Sequence, residues 1–457
     1  MRGRLRWSIL ALVVLTAAAW ALPASADHAT RPHTANMHAL GHSPNPASFL
    51  EDPPGPAPPE VNSDIAFWGN LAFNGNYDGF RIIDISEPGD PQEISHPRCQ
   101  GNQGDIVVWE DMLVRSWNSP APAGATCDGE PVPEGFEGVH IWDISNLEDP
   151  DLIGEVELSA RPEADQPGCG SHTATLAPDL ANNRVLIYNA TSGGNVLLPP
   201  ALQNCDWVDI LQVPLANPGA ASHLHREPLM GGHAAHDNGV ILGDVNKLAV
   251  ASGHMSNVFD IGANDTPGGS LADPVPLFTI EEAGVGVGGN WHSAAFTWDG
   301  EVVIMGWEPG GGAAPECEAT DPPVKKSAFF YDADTGAKLG QWTLPRPQSS
   351  TENCTIHNYN VVPTRSGRYI LVSGNYQAGT WVTEFTDPAS PVTLGWSDPP
   401  PLVPTQLGGA WSSYWYNGFI YESNITEGLN IFRFSGRETD GARRLPHLNP
   451  QTQEFSL

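Results

Sequence analysis

Apolar and polar residues alternate along this chain in short bursts, and the bursts recur. Gly79–Gln92 reads GFRIIDISEPGDPQ, Gly138–Asp151 reads GVHIWDISNLEDPD and Gly379–Val392 reads GTWVTEFTDPASPV. Weaker copies cover Trp207–Pro218, Asn257–Asp265, Ala328–Gly336 and Gly428–Gly436. Each alternates for a few positions and then breaks at Asp, Asn, Gly or Pro, the pattern of a strand leading into a turn. Upstream of every copy lies a strand, a tight turn and a returning strand, as in SDIAFWGNLAFNGN from Ser63 and WSSYWYNGFIYESN from Trp411. A further short strand such as DLIGEVEL completes four per unit. No segment sustains a period of 3.6, so the chain reads as all-β. Seven such units predict a seven-bladed β-propeller of four-stranded blades over 62–435, with blades starting near 62, 103, 171, 235, 291, 356 and 410. The Gly-, Pro- and Ala-rich insertions Asn118–Gly135, Ser192–Asn204 and Glu308–Lys326 fall between second and third strands. That places them as loops on one face, around the mouth of the channel where the first strands begin.

The ends of the chain read differently. Arg2, Arg4 and Arg6 precede an apolar run closed by Ala24-Ser25-Ala26, so 1–26 is expected to be a secretory signal peptide. The arm 27–61 contains ANMHALGHSP, which resembles fourth strands such as SPVTLGWSDP, and is expected to supply the closing strand of the seventh blade. Residues 436–457 are polar and read as a tail. No stretch of the mature chain is apolar for long enough to cross a membrane as a helix. These features predict a secreted or extracytoplasmic protein, cell-surface association included.

Charge and cysteine change the picture next. A formal net charge of -32 repels phosphate backbones and excludes nucleic acid as a partner. The acids are scattered and form no calcium-loop motif, so the charge reads as solubility. Six cysteines in an exported chain favour three disulfides. Cys99, Cys169 and Cys354 precede first strands, while Cys127, Cys205 and Cys317 sit in the long insertions. The natural pairs are Cys99–Cys127, Cys169–Cys205 and Cys317–Cys354, among the fifteen connectivities that six cysteines allow.

Candidate chemistry gathers at the entry to the inner strands. His172, His236, His292 and His357 occupy it in four successive units, and Asn62, Gln103 and Ala410 stand near it in the others. On a propeller the four imidazoles converge at one mouth, where they could hold one transition-metal ion (Fe, Cu or Zn). Four-histidine iron oxygenases on propellers use such an arrangement, an analogy of fold alone. The plainer reading is a brace, each histidine bonding the main chain of the next blade. Glu308, just after a returning strand, is the first candidate for an acceptor behind one of the far ring nitrogens; it could also be a ligand itself, or a solvated loop acid. Protons are expected to compete for these nitrogens near pH 6.5. His28, His33, His38 and His42, and then His223, His225 and His233, are weaker candidates, as is His254. No nucleophile elbow, Walker loop, HExxH or dinucleotide fingerprint occurs. N-x-[ST] triplets stand at Asn189, Asn264, Asn353 and Asn424.

The copies GFRIIDISEPGDP and GVHIWDIS resemble the LVIVD-repeat family of secreted bacterial β-propeller proteins. CGSHTATL, NWHSAAFTWDG, CTIHNYNVVP and GGAWSSYWYNGFIYESN look like members of that family in the same order, over roughly 62–434. The resemblance implies an exported propeller carrying the four histidines, without an assigned reaction. Together these features predict a disulfide-stabilised scaffold for an unknown small molecule or extracellular partner, with a candidate metal site. The alternatives are a metal-dependent, oxidoreductase-like enzyme at the same histidines and a purely structural surface protein.

Overall fold

A computed structural model describes residues 30–46, 62–101, 103–159, 169–191, 205–231, 234–262, 268–286, 289–402 and 407–455. The expected signal peptide and the insertion Ser192–Asn204 lie outside the described residues.

Short apolar runs become strands wherever a tight turn follows them. Ala410–Tyr416 returns as Phe419–Asn424 through Asn417 and Gly418, both at positive φ (51° and 104°). This is the type I′ geometry that matches strand twist and that Asn-Gly adopts readily. The chain is almost wholly such antiparallel meanders, with 3₁₀ turns as its helical pieces among the described residues. No helix there is long and apolar enough to cross a membrane.

Five sheets are separate meanders. They start with the strands Asn62–Trp68, Ile106–Trp109, Thr173–Asp179, Ala235–Ile241 and Gly289–Phe296. Thr126–Cys127 with Glu130–Pro131 forms a small two-stranded ribbon, and the remaining sheet is eight-stranded. In it the meander from Asn358–Val361 is joined to the meander from Ala410–Tyr416 by a parallel pairing of Asn358 and Tyr359 with Ser412 and Ser413. First strands are buried on both faces, as Ile106–Trp109 shows, whereas last strands such as Asp151–Glu157 alternate in exposure. The first strands contact one another in cyclic order, and Ala410–Tyr416 returns against Asn62–Trp68. Side chains seal that junction: Tyr414 donates to Asp64 Oδ2 at 2.9 Å and Asn74 to Ser423 Oγ at 2.8 Å. Apolar clusters fill the gaps between neighbouring sheets, with Phe80 edge-on to Trp142 at 5.1 Å. This is an all-β, propeller-like fold.

The sheets depart from seven separate four-stranded units. The two meanders of the last sheet fuse where their inner strands come within ladder distance. Two of the separate sheets carry a fifth strand, His447–Leu448 and Thr452–Gln453, from the segment that reads as a polar tail. At the other end of the chain, Met37–Pro44 pairs antiparallel with Gly428–Phe434.

All six cysteines are paired, as Cys99–Cys127, Cys169–Cys205 and Cys317–Cys354. The last closes a sequence separation of 37 residues. Chain entropy then gives an expected cost of about 3–4 kcal/mol for Cys317→Ser/Cys354→Ser. A urea titration checks this, and a loss below about 1 kcal/mol would contradict it.

Candidate metal centre

The backbone sets the histidines at irregularities in the ladder. Pairing steps from Ala235↔Ser252 to Asp237↔Ala251, and from Trp291↔Trp307 to Ser293↔Gly306, so His236 and His292 are the unpaired residues of β-bulges. A bulge re-aims a side chain without ending the strand. The same step from Ala410↔Asn424 to Ser412↔Ser423 puts Trp411, not Ala410, at the matching place. His172 and His357 stand immediately before their strands, and all four histidines are buried.

The four rings form an arc. Successive centroids, His172 to His236 to His292 to His357, are 4.2, 4.1 and 4.1 Å apart. Glu308 faces three of them. Its Oε2 lies 3.9 Å from His236 Nε2 and 3.8 Å from His292 Nε2, and its Oε1 lies 3.6 Å from His357 Nε2. These separations are too long for hydrogen bonds. They suit donors that share an ion, because two atoms each about 2.1 Å from one ion lie at most about 4.2 Å apart. Ligand atoms of His236, His292 and Glu308 all fall within 4.8 Å of one another. His172 reaches the group through His236.

Of the two places expected for Glu308 near the rings, it takes the ligand side and not that of an acceptor behind them. It meets the Nε2 atoms that face the common point, not the far Nδ1 atoms. The far side is held otherwise. His357 Nδ1 lies 2.5 Å from the Trp411 carbonyl and His172 Nδ1 lies 3.0 Å from Asn118 Oδ1. Both partners only accept, so both Nδ1 atoms carry hydrogen and leave Nε2 with its lone pair. Nδ1 of His236 and of His292 is buried without a partner at hydrogen-bonding distance. The main chain of His292 and of His357, respectively, still lies close enough to favour the protonated ring slightly.

Burial governs the electrostatics. It lowers His236 to about 4 and His357 to about 3, and holds His172 and His292 well below the ordinary value, with mutual repulsion adding to the last two. All four rings are neutral at neutral pH. Burial also raises Glu308 to about 7, partly offset by a 2.7 Å hydrogen bond from the Tyr376 hydroxyl. Tyr376 holds a left-handed backbone at φ 51°, uncommon for a non-glycine residue. Gly312, at φ +72°, closes over this pair, and a Cβ there would collide with the Tyr376 hydroxyl and the Glu308 carboxylate. Trp411 stands edge-on to His357 at 5.1 Å, and the half-buried Tyr77 lies 6.5 Å from Trp411. Deeper along the inner strands, Asp64, Asp105 and Asp237 are wholly buried and raised by desolvation.

The weaker candidates go elsewhere. His38 and His42 bond Ser435 and Asn430 along the arm, and His33 bonds the Arg31 carbonyl. His223 pairs with Asp209 and His225 with Glu227. His28 and His233 lie outside the described residues, as does Asn264. Asn189, Asn353 and Asn424 are buried, and their amides donate to Gly170, Gly312 and Glu422, which leaves no room for a glycan in the folded protein. A cavity of about 520 Å³ among Ile241, Trp298, Val361, Arg365 and Tyr369 lies at the far ends of the inner strands, away from the histidines.

No family model and no curated protein matches this chain. Among solved structures it is similar to the Dos1 propeller at 9% identity, with 84% of this chain and 81% of that one covered and a TM-score of 0.48. The periplasmic gluconolactonase PpgL of Pseudomonas aeruginosa matches at 11% identity over 72% of this chain and 83% of its own, TM-score 0.48. A computationally designed protein, Ika8, matches at 12% identity over 82% and 96%, TM-score 0.43. At these levels none of them bears on the chemistry of this chain.

Proposed function

We propose that the protein is an exported, seven-bladed propeller of the LVIVD-repeat kind that holds one transition-metal ion and receives its ligand at the loop-bearing mouth. The seven-blade reading counts the eight-stranded sheet as two meanders, which the cyclic contact of the first strands supports. Export is supported by three disulfides, which persist in oxidising compartments.

One observation carries the metal reading: three neutral Nε2 atoms face a single buried carboxylate at 3.6 to 3.9 Å. A brace would need only the contacts to the main chain of the next unit on the far side of the rings and would give no reason for the acid. His236, His292 and Glu308 would be the ligands, with His357 beside them against the other oxygen of Glu308. A divalent ion there would be a Lewis acid, and two histidines with one carboxylate would leave positions for a substrate or water, which favours an enzyme as the second reading. The enzyme's own residues would contribute Tyr376, which orients Glu308, and Trp411, which flanks His357.

Metal analysis of untagged protein tests this. About one equivalent of Fe, Cu or Zn is expected, and His292→Ala is expected to lose it with the fold retained. Wild-type protein that folds and stays metal-free after incubation with each ion would leave the histidines as a brace.

A further inference from the structure

The end of the channel away from the histidines is closed by the chain's own polar C-terminal segment. Arg443 N–H donates to the Pro363 carbonyl at 2.7 Å and the Asn417 amide clasps Leu445. His447 and Leu448 then pair with Trp68 and Phe67. Asn449 accepts from Val108 N–H and donates to Val108 C=O, both at 2.8 Å. Gln451 donates to Asp64, and Thr452 Oγ1 to the Leu176 carbonyl at 2.5 Å. Gln453 treats Phe296 as Asn449 treats Val108, while main-chain carbonyls of Gln451 and Gln453 accept from Val240 and Leu242 N–H at 2.8 Å. Every meander is touched, mostly at the far end of its first strand, and the meanders that start at Asn62 and Ala235 are touched twice.

This is the chemistry of a bound peptide rather than of a core. Asn449, Gln451, Thr452 and Gln453 are all nine-tenths buried or more. Such residues are costly inside a protein unless hydrogen-bonded, and here two amides each satisfy both groups of one backbone residue, as a neighbouring strand would.

We propose that this end of the channel is a peptide-recognition site that the protein fills with its own residues 443–453, a separable plug that leaves the histidines reachable only from the loop-bearing mouth. The proposal is independent of the metal reading.

Hydrogen exchange on full-length Asn449→Ala/Gln453→Ala tests it. Amides of Val108, Val240, Leu242 and Phe296 are expected to exchange at least tenfold faster, with the outer ladder between Gly138–Asp143 and Asp151–Glu157 unchanged. Unchanged exchange at the four amides, or equal acceleration throughout the ring, would overturn it. A second measurement uses the full chain with a protease site in the exposed turn at Asp440–Gly441. After cleavage the segment is expected to stay bound and to be displaced saturably by a synthetic 443–455 peptide, at least tenfold less well by its Asn449→Ala form. Unfolding on cleavage, or equal displacement by both peptides, would show the segment to be ordinary core.

Discussion

Arg31→Ala is expected to cost about 3–5 kcal/mol, the loss typical of breaking a buried ion pair from one side. Arg31 Nη2 lies 2.8 Å from Glu422 Oε1, with side chains 2% and 0% exposed. The guanidinium also lies 4.9 Å over the Phe432 ring. Without it, Glu422 keeps the Thr380, Asn424 and Asn430 hydrogen bonds but no counter-charge. Deleting 30–44 is expected to cost more. It would also remove the ladder on Gly428–Phe434, uncover that strand as an open edge and withdraw the fully buried Met37. Urea midpoints of wild type, Arg31→Ala and Arg31→Met/Glu422→Gln check the argument. The double variant is expected to recover most of the loss, since it removes both charges. If Arg31→Ala alone shifts stability by under about 1 kcal/mol, the arm is not a structural strand of the ring.

Much of this was legible because the repeat is built from local signals. Alternation ending at IIDIS or WDIS marks third strands, and Asn-Gly or Asp-Gly marks hairpins, each within a few residues. The cysteine pairs followed from placing entry loops and long loops on one face. Lining up strand starts brings out the histidines, but such an alignment is blind to bulges and so gives only the neighbourhood of Ala410 where Trp411 stands. Whether Glu308 stands behind the rings or in front of them is not legible, because sequence gives the position of a residue along a strand but not the tilt of its carboxylate. Tyr376 carries no local signal at all. Its role comes from a left-handed backbone and from Gly312 across the gap. Asp64, Asp105 and Asp237 could have been seen, since SDI, GDI and HDN repeat the acid near three strand starts. The C-terminal segment could not. HLNPQTQ is polar, and only the shape of the channel end turns those amides into partners for strand backbone. Fusion of the last two meanders depends on a two-residue parallel contact near the axis, which no local pattern encodes.

Glu308→Gln is expected to lower metal affinity by about 100-fold or more and to remove most of its dependence on pH between about 7 and 4. Loss of a supporting partner alone typically costs about 10–100-fold, and here the carboxylate faces the same point as the ligand nitrogens. An ion that binds Glu308 must displace its proton below the value of about 7 to which burial raises the acid. Wild-type affinity should thus be flat above pH 7 and fall by up to about tenfold per unit as pH drops below it. The histidines add nothing in that window. Burial has lowered His236 to about 4 and His357 to about 3, so protons compete for their nitrogens only in stronger acid, well below the ordinary 6.5. The variant keeps the neutral rings and lacks the acid, so its weaker affinity should stay nearly constant from pH 8 down to about 4 and then fall. Competition with a chromophoric chelator across that range measures both curves. A Glu308→Gln curve that still falls as pH drops through about 6.5 would mean that the rings are not buried as ligands. A wild-type curve already flat between 7 and 5 would remove Glu308 from the coordination sphere.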